Sequence, residues 1–243
     1  MKRIFSMAAL LLAVFATGSW SQKTEFGVKA GANFSTFTLN ENVQDALGEA
    51  QTKVGFLLGL TVDIPFTSKL YTSDFYLMTG LELSQKGYKA TQSYTLPGTV
   101  LTPPVQAQLN LAANPLYVQL PLYFAYKITV DKDVRFVPRA GPYLAYGLSG
   151  KLSYNSSVGA AGIDLSARFP ELDLYGGNGI LKNFDYGLGV GLGLEYSQFG
   201  LYLGYELGLA NLADENTKKA LTLGGEDYSI KTGNLYVSLG YRF

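Results

Sequence analysis

The chain has 243 residues, 19 basic and 19 acidic, with no His, no Cys and 28 Gly, well above the usual glycine share of about 7%. Lack of Cys excludes disulfides, thiolate metal sites, cysteine nucleophiles and lipidation of an N-terminal Cys; lack of His excludes serine–histidine triads and most transition-metal sites. Zero net charge lacks the basic surplus of a nucleic-acid binder, so no nucleic-acid partner is expected.

In chain order, Met1–Ser21 comes first. Basic Lys2 and Arg3 precede the apolar run Met7–Ala16, and Ser19-Trp20-Ser21 supplies small residues at the −3 and −1 positions. This is the layout of a cleaved secretory signal peptide, and the run is about half the ~20 residues a membrane helix needs. Cleavage after Ser21 removes two of the 19 basic residues and none of the 19 acidic ones, leaving a mature chain, 22–243, with a net charge of −2 and no Trp. No later stretch is long and apolar enough for a membrane helix.

From Phe26 onward apolar residues recur with period two, the strand signature. The pattern predicts eight strands: Phe26–Phe34, Val54–Ile64, Tyr76–Ser84, Leu116–Tyr126, Val134–Tyr146, Tyr186–Tyr196, Phe199–Leu209 and Asn234–Phe243. Most are near the ~9–11 residues that cross a bilayer at a tilt. In Tyr186–Tyr196, for example, one face is Tyr186, Leu188, Val190, Leu192, Leu194 and Tyr196, and the other is Gly187, Gly189, Gly191, Gly193 and Glu195.

Two architectures produce such alternation. A soluble barrel or sandwich buries the apolar face and exposes a face rich in Lys, Glu and Thr. Here the second face is mostly Gly with isolated charges, which suits the cramped interior of a narrow barrel. The apolar face, with aromatics at several strand ends, then meets lipid. The connections run to about 19, 11, 31, 7, 39, 2 and 24 residues, alternating long and short. Long loops at one end and short turns at the other are characteristic of outer-membrane barrels. The short connections carry turn formers: Pro65 with Thr67 and Ser68, Asp131-Lys132-Asp133, and Ser197-Gln198. The expectation is an eight-stranded antiparallel up-and-down transmembrane β-barrel over 22–243, in the outer membrane of a Gram-negative bacterium, with long extracellular loops and both termini in the periplasm. Its partners would include outer-membrane lipid.

The segment Gly27-Val28-Lys29-Ala30-Gly31-Ala32-Asn33-Phe34-Ser35 resembles the first-strand motif of the PorT-type outer-membrane β-barrel proteins. Tyr117-Val118-Gln119-Leu120-Pro121-Leu122, Gly141-Pro142-Tyr143-Leu144, Asp185-Tyr186-Gly187 and the terminal Tyr241-Arg242-Phe243 are similar too, in the same order. That family more often has an acidic residue where this chain has Gln119. The terminal aromatic resembles the motif read by barrel-assembly machinery, which implies that machinery as a partner during biogenesis. The family's founding member is implicated in type IX secretion, and most relatives have no assigned task.

An eight-stranded barrel is only wide enough for its own side chains. Strand parity sends Lys29, Arg135, Arg139 and Arg242 inward with Asp63, Glu82, Glu195 and Glu206, four charges of each sign. A lone buried charge is very costly, so the balance points to mutual pairing in an ionic plug. The same charges could instead line a narrow gated conduit.

The long connections are the other candidate surface. Asn40–Leu47 reads as a short capped helix, and Gly87–Pro115, with Pro97, Pro103 and Pro104, reads as a stiffened excursion. Gly147–Phe184 is unusually apolar. It either extends strands beyond the membrane or presents a contact surface, with Phe169, Leu172, Leu174 and Tyr175 as candidates. Asp214-Glu215 with Lys218-Lys219 reads as a solvated helical turn.

Gly187–Gly193 lacks G-x-G-x-x-G spacing and a following helix, which argues against a nucleotide loop. Asp185, Asp214 and Glu215 have no EF-hand spacing and read as loop acids, and Asn155-Ser156-Ser157 as a chance sequon. No cofactor, metal or catalytic set is expected, so the chain does not read as an enzyme. The functional expectation is a binding or scaffold protein with protein partners in a surface or secretion complex, the alternative being a narrow transport channel or small-ligand receptor.

Overall fold

The computed structural model describes residues 24–39, 49–66, 75–96, 105–160, 163–168, 170–176, 179–214 and 229–243. In chain order the strands are β1 (Glu25–Leu39), β2 (Glu49–Pro65), β3 (Phe75–Gln85), β4 (Tyr88–Leu96), β5 (Val105–Ala113), β6 (Leu116–Tyr126) and β7 (Ile128–Asp131). They continue as β8 (Val134–Ser149), β9 (Lys151–Ala160), β10 (Ile163–Arg168), β11 (Leu172–Asp173), β12 (Phe184–Tyr196), β13 (Phe199–Gly208) and β14 (Ile230–Arg242).

Eight of these close a barrel in the order β1, β2, β3, β6, β8, β12, β13 and β14. Every pairing is antiparallel, and β1 seals the ring by pairing β14 from Gly27↔Arg242 to Leu39↔Ile230. These are the eight strands that the period-two pattern predicts. Closure removes the open edges that a flat sheet of this size would expose.

Parity decides what each face carries. Along β13 exposure alternates strictly, with Phe199, Leu201, Leu203, Tyr205 and Leu207 outward and Tyr202 and Glu206 inward. Exposed aromatics gather toward both ends of the barrel wall. Near the short turns, Phe75 packs on Tyr126 and Phe199 on Tyr241; near the long connections, Phe184 packs on Tyr186. Such girdles mark the two interfaces of a membrane.

Two regions differ from the sequence expectation. The barrel strands β1 and β2 run on toward the long connections, to Leu39 and from Glu49. The described parts of Gly87–Pro115 form a strand pair rather than a stiffened excursion: β4 and β5 pair from Tyr88↔Ala113 to Leu96↔Val105. β4 also pairs β2, and β5 pairs β9. With β10 and β11 on the far side of β9, these strands carry the sheet past the barrel rim. The apolar connection Gly147–Phe184 therefore extends strands, the first of its two readings. Its register is amphipathic, with Leu109, Leu111, Leu152 and Tyr154 on one face and Gln108, Asn110, Ser153 and Asn155 on the other.

At the other end the turns are tight. Ser197 and Gln198 join β12 to β13, with Ser197 in the left-handed region at φ +52°. A two-residue hairpin favours such a value because it matches strand twist. Met1–Ser21, the helix expected at Asn40–Leu47, Thr67, Ser68, and the turn expected at Glu215–Lys219 lie outside the described residues.

Candidate functional site

The barrel interior is the most elaborate polar site among the described residues, and it is built in layers. Glycines make the room. Tyr202 sits in a slot where a methyl group on Gly193 would lie 2.6 Å from its ring, one on Gly200 2.7 Å and one on Gly240 3.2 Å. The same relation holds between Gly189 and Tyr123 and between Gly187 and Tyr143. The glycine face of β12 and β13 is thus the counterpart of large aromatic side chains crossing the lumen.

The layer nearest the short turns holds three carboxylates and three cations. Lys127 meets Asp63 at 2.7 Å, Glu25 at 2.8 Å and Glu195 at 3.8 Å. Arg135 reaches Glu195 at 3.1 Å and Glu25 at 3.5 Å, and Arg242 pairs with Glu195 and reaches Glu25 at 3.6 Å. The Tyr202 hydroxyl donates to Glu195 at 2.7 Å. Arg242 also donates to the carbonyl of Ser197 at 2.9 Å, which ties the network to the β12–β13 turn.

In the middle layer Lys29 pairs with Glu82 across Gly59, whose missing side chain lets the two meet. Arg139 departs from the expected pairing. Among the described residues no carboxylate lies within 4 Å of it. Its guanidinium lies 4.5 Å from the ring of Tyr202, 5.5 Å from Tyr123 and 5.6 Å from Tyr236, and donates to the Tyr236 hydroxyl at 3.0 Å. Aromatic faces stabilise a desolvated guanidinium in place of an acid.

The upper layer centres on Glu206. It pairs with Lys86 at 3.0 Å and accepts from Gln119 at 2.6 Å, Tyr123 at 2.9 Å and Asn234 at 3.2 Å. Gln119 is a donor here, where a second carboxylate would face Glu206 with like charge. Asn33, in the first-strand motif, donates to Phe56 and Gln85 carbonyls and to the Ser84 hydroxyl, and accepts from Asn234. The inward polar residues of that motif, Lys29, Asn33 and Ser35, thereby tie β1 to its neighbours. Asp185, read from sequence as a loop acid, is instead fully buried on β12, where Tyr143 and Thr232 donate to it.

Above this layer the lumen is closed by apolar side chains. Phe37, Tyr88, Ala90, Ala113, Leu174, Leu181, Leu212, Ala213 and Ile230 form one buried cluster, with Phe37 stacked on Tyr88 at 5.0 Å. Burial pushes the Tyr88 phenol up to about 12. Leu174 is 1% exposed, so it belongs to this cap and not to a contact surface. Tyr175 is half-buried and packs edge-on against Tyr117 beneath the cap. Leu172 is exposed, and Phe169 lies outside the described residues.

All eight charges that parity assigns to the interior face the lumen, and among the described residues the structure adds four fully buried or ion-paired ones that parity missed: Glu25, Lys86, Lys127 and Asp185. The named interior set is six cations (Lys29, Lys86, Lys127, Arg135, Arg139, Arg242) and six anions (Glu25, Asp63, Glu82, Asp185, Glu195, Glu206). Chemically this arrangement neutralises itself. Among the described residues there is no cluster of three or more acidic side chains placed to hold a metal ion.

Several solved barrels are similar to the chain. The attachment invasion locus protein Ail of Yersinia pestis shares 13% identity over 91% of this chain and 100% of its own, with a TM-score of 0.31. Neisserial surface protein A shares 14% identity over the same proportions, with a TM-score of 0.35. The translocator domain of autotransporter NalP from Neisseria meningitidis shares 12% identity over 100% of this chain and 96% of its own, with a TM-score of 0.29. No curated protein matches the chain. The family described as outer membrane protein beta-barrel domain matches residues 20–214, most of the chain. The chain therefore belongs to this family of outer-membrane β-barrels.

Proposed function

We propose that this barrel, a PorT-type member of a Gram-negative envelope, works by binding, as a scaffold or accessory subunit of a surface or secretion complex. The observation that carries this reading is the division of labour in the chain. The lumen is filled by a self-neutralising network under an apolar cap, while additional strands extend the sheet beyond the rim. A filled interior supports a role for the outside and the long-connection end. In this reading the long connections are extracellular, both termini are periplasmic, and exposed Leu172 on β11 belongs to the contact surface.

The test is native electrophoresis of the outer-membrane fraction in mild detergent, with a tag inserted in a long connection. Migration in a large, reproducible assembly, lost when β9–β11 is replaced by a short turn in a variant that still folds, is the expected result. Migration as a lone barrel in every preparation would overturn the subunit reading.

A further inference from the structure

The extended sheet ends on β10. It is the last strand in the sheet order, joined to β9, and among the described residues no strand pairs its other edge. It also stands clear of the barrel. β11 pairs Lys151 and Leu152 at the foot of β9, and β10 pairs Asn155–Ala160 beyond them. Measured along the sheet, Asn155 is about 20 Å past Ser149, where barrel strand β8 ends.

An unpaired edge offers a row of N–H and C=O groups to another extended chain. The sequence of the edge selects which chain fits. β10 reads Ile163-Asp164-Leu165-Ser166-Ala167-Arg168, and this sequence is self-complementary. Set antiparallel against a second β10 with Ser166 opposite Ser166, it places Asp164 opposite Arg168 twice and Leu165 opposite Ala167 twice. Asp164, Ser166 and Arg168 alternate onto one face, so each charge pair meets on the same side of the sheet. A slip of one residue in either direction loses both charge pairs.

We propose that β10 pairs with β10 of a second copy standing in a facing outer membrane, which makes the barrel a homophilic adhesin. The proposal rests on the reading that the long connections are extracellular. The facing membrane follows from symmetry. Two antiparallel copies of one strand are related by a two-fold axis normal to their sheet. The barrel axis runs in the plane of that sheet, so the same rotation turns the barrel over, and the two long-connection ends meet. Copies side by side in one membrane keep the same sense along its normal. Parallel β10 strands in register would set Asp164 beside Asp164 and Arg168 beside Arg168, which repel.

The test uses the mature barrel in single-copy lipid nanodiscs, which leave both ends free. Sedimentation velocity should show discs pairing reversibly with a Kd of about 0.1 mM or tighter. Asp164→Arg and Arg168→Asp each bring like charges together at both positions and should each weaken pairing at least about fourfold. Mixing the two variants makes both positions opposite again and should restore pairing between them, as should the double variant Asp164→Arg/Arg168→Asp alone. Heat-modifiable gel mobility checks that each variant is folded. Discs that stay single up to about 0.1 mM would overturn the proposal. So would pairing that both single variants leave unchanged, or a mixture that stays as weak as its components. Placement is tested separately. The chain has no Cys and Ala167 is exposed, so a folded Ala167→Cys variant should react with a membrane-impermeant maleimide on intact cells. Labelling together with single discs refutes the pairing alone, whereas absence of labelling refutes the extracellular reading and the facing-membrane contact with it.

Discussion

Glu206→Ala is the sharpest test of the interior network. Glu206 is the one carboxylate within 4 Å of the fully buried Lys86 among the described residues, and it accepts three further hydrogen bonds from Gln119, Tyr123 and Asn234. Removing it leaves an ammonium without its counter-ion and three donors without their acceptor. Breaking a buried pair in this way costs about 3–5 kcal/mol. With a urea slope of about 1–3 kcal/mol per molar, the unfolding midpoint should fall by at least about 1 M. The assay is urea unfolding in phospholipid vesicles, followed by far-ultraviolet circular dichroism and by heat-modifiable gel mobility. The double variant Lys86→Met/Glu206→Leu, which removes both charges, should recover most of the loss. A loss below about 1 kcal/mol for Glu206→Ala would refute the reasoning, because it would mean that water already solvates this layer.

The glycine slots give a second prediction: Gly193→Ala, whose methyl group meets the Tyr202 ring at 2.6 Å, should cost about 1–3 kcal/mol in the same assay. Gly233→Ala, which meets only the Tyr205 hydroxyl at 2.9 Å and then nothing closer than 3.7 Å, should cost less than half as much. A third concerns the exposed pair on the extended sheet, Lys151 and Glu171, 2.8 Å apart. The hydrogen bond from Lys151, aided by its charge, holds the Glu171 carboxyl below its ordinary 4.5. A lowered folded-state value means the pair's contribution is present above 4.5 and is lost as pH falls through the folded value. Nuclear magnetic resonance titration should show Glu171 titrating below 4.5 and returning toward it in Lys151→Met, while Glu171→Gln lowers the unfolding midpoint only slightly, because the pair is exposed.

The wall was more legible from sequence than the site. A strand that faces lipid on one side and a crowded lumen on the other writes its period-two pattern into every residue, so all eight barrel strands were readable. Parity also names the inward face, which is why Lys29, Glu82, Glu195 and Glu206 could be placed. It fails where the pattern stops. Lys86 follows the last residue of β3, Lys127 lies between β6 and β7, Glu25 precedes the first apolar residue of β1, and Asp185 precedes Tyr186, where the predicted strand begins. Parity also gives face without depth or distance across the lumen, so it could not tell that Arg139 meets tyrosines rather than an acid. The apolar connection shows a similar gap. Leu172 and Leu174 look equivalent in one dimension, yet one is exposed and the other caps the lumen. The β4–β5 pair was readable in principle, since Lys89, Thr91, Ser93 and Thr95 alternate with Tyr88 and Ala90, but the prolines nearby pointed to a loop.

The most direct measurement of the central claim, a sealed barrel that acts through its exterior, is single-channel recording of the purified protein in planar bilayers. Among the described residues, six paired or buried interior charges of each sign, packed with tyrosines beneath an apolar cap, predict no steady conductance at any moderate potential. A reproducible, long-lived open level from a monodisperse preparation would contradict it and would make the lumen a conduit.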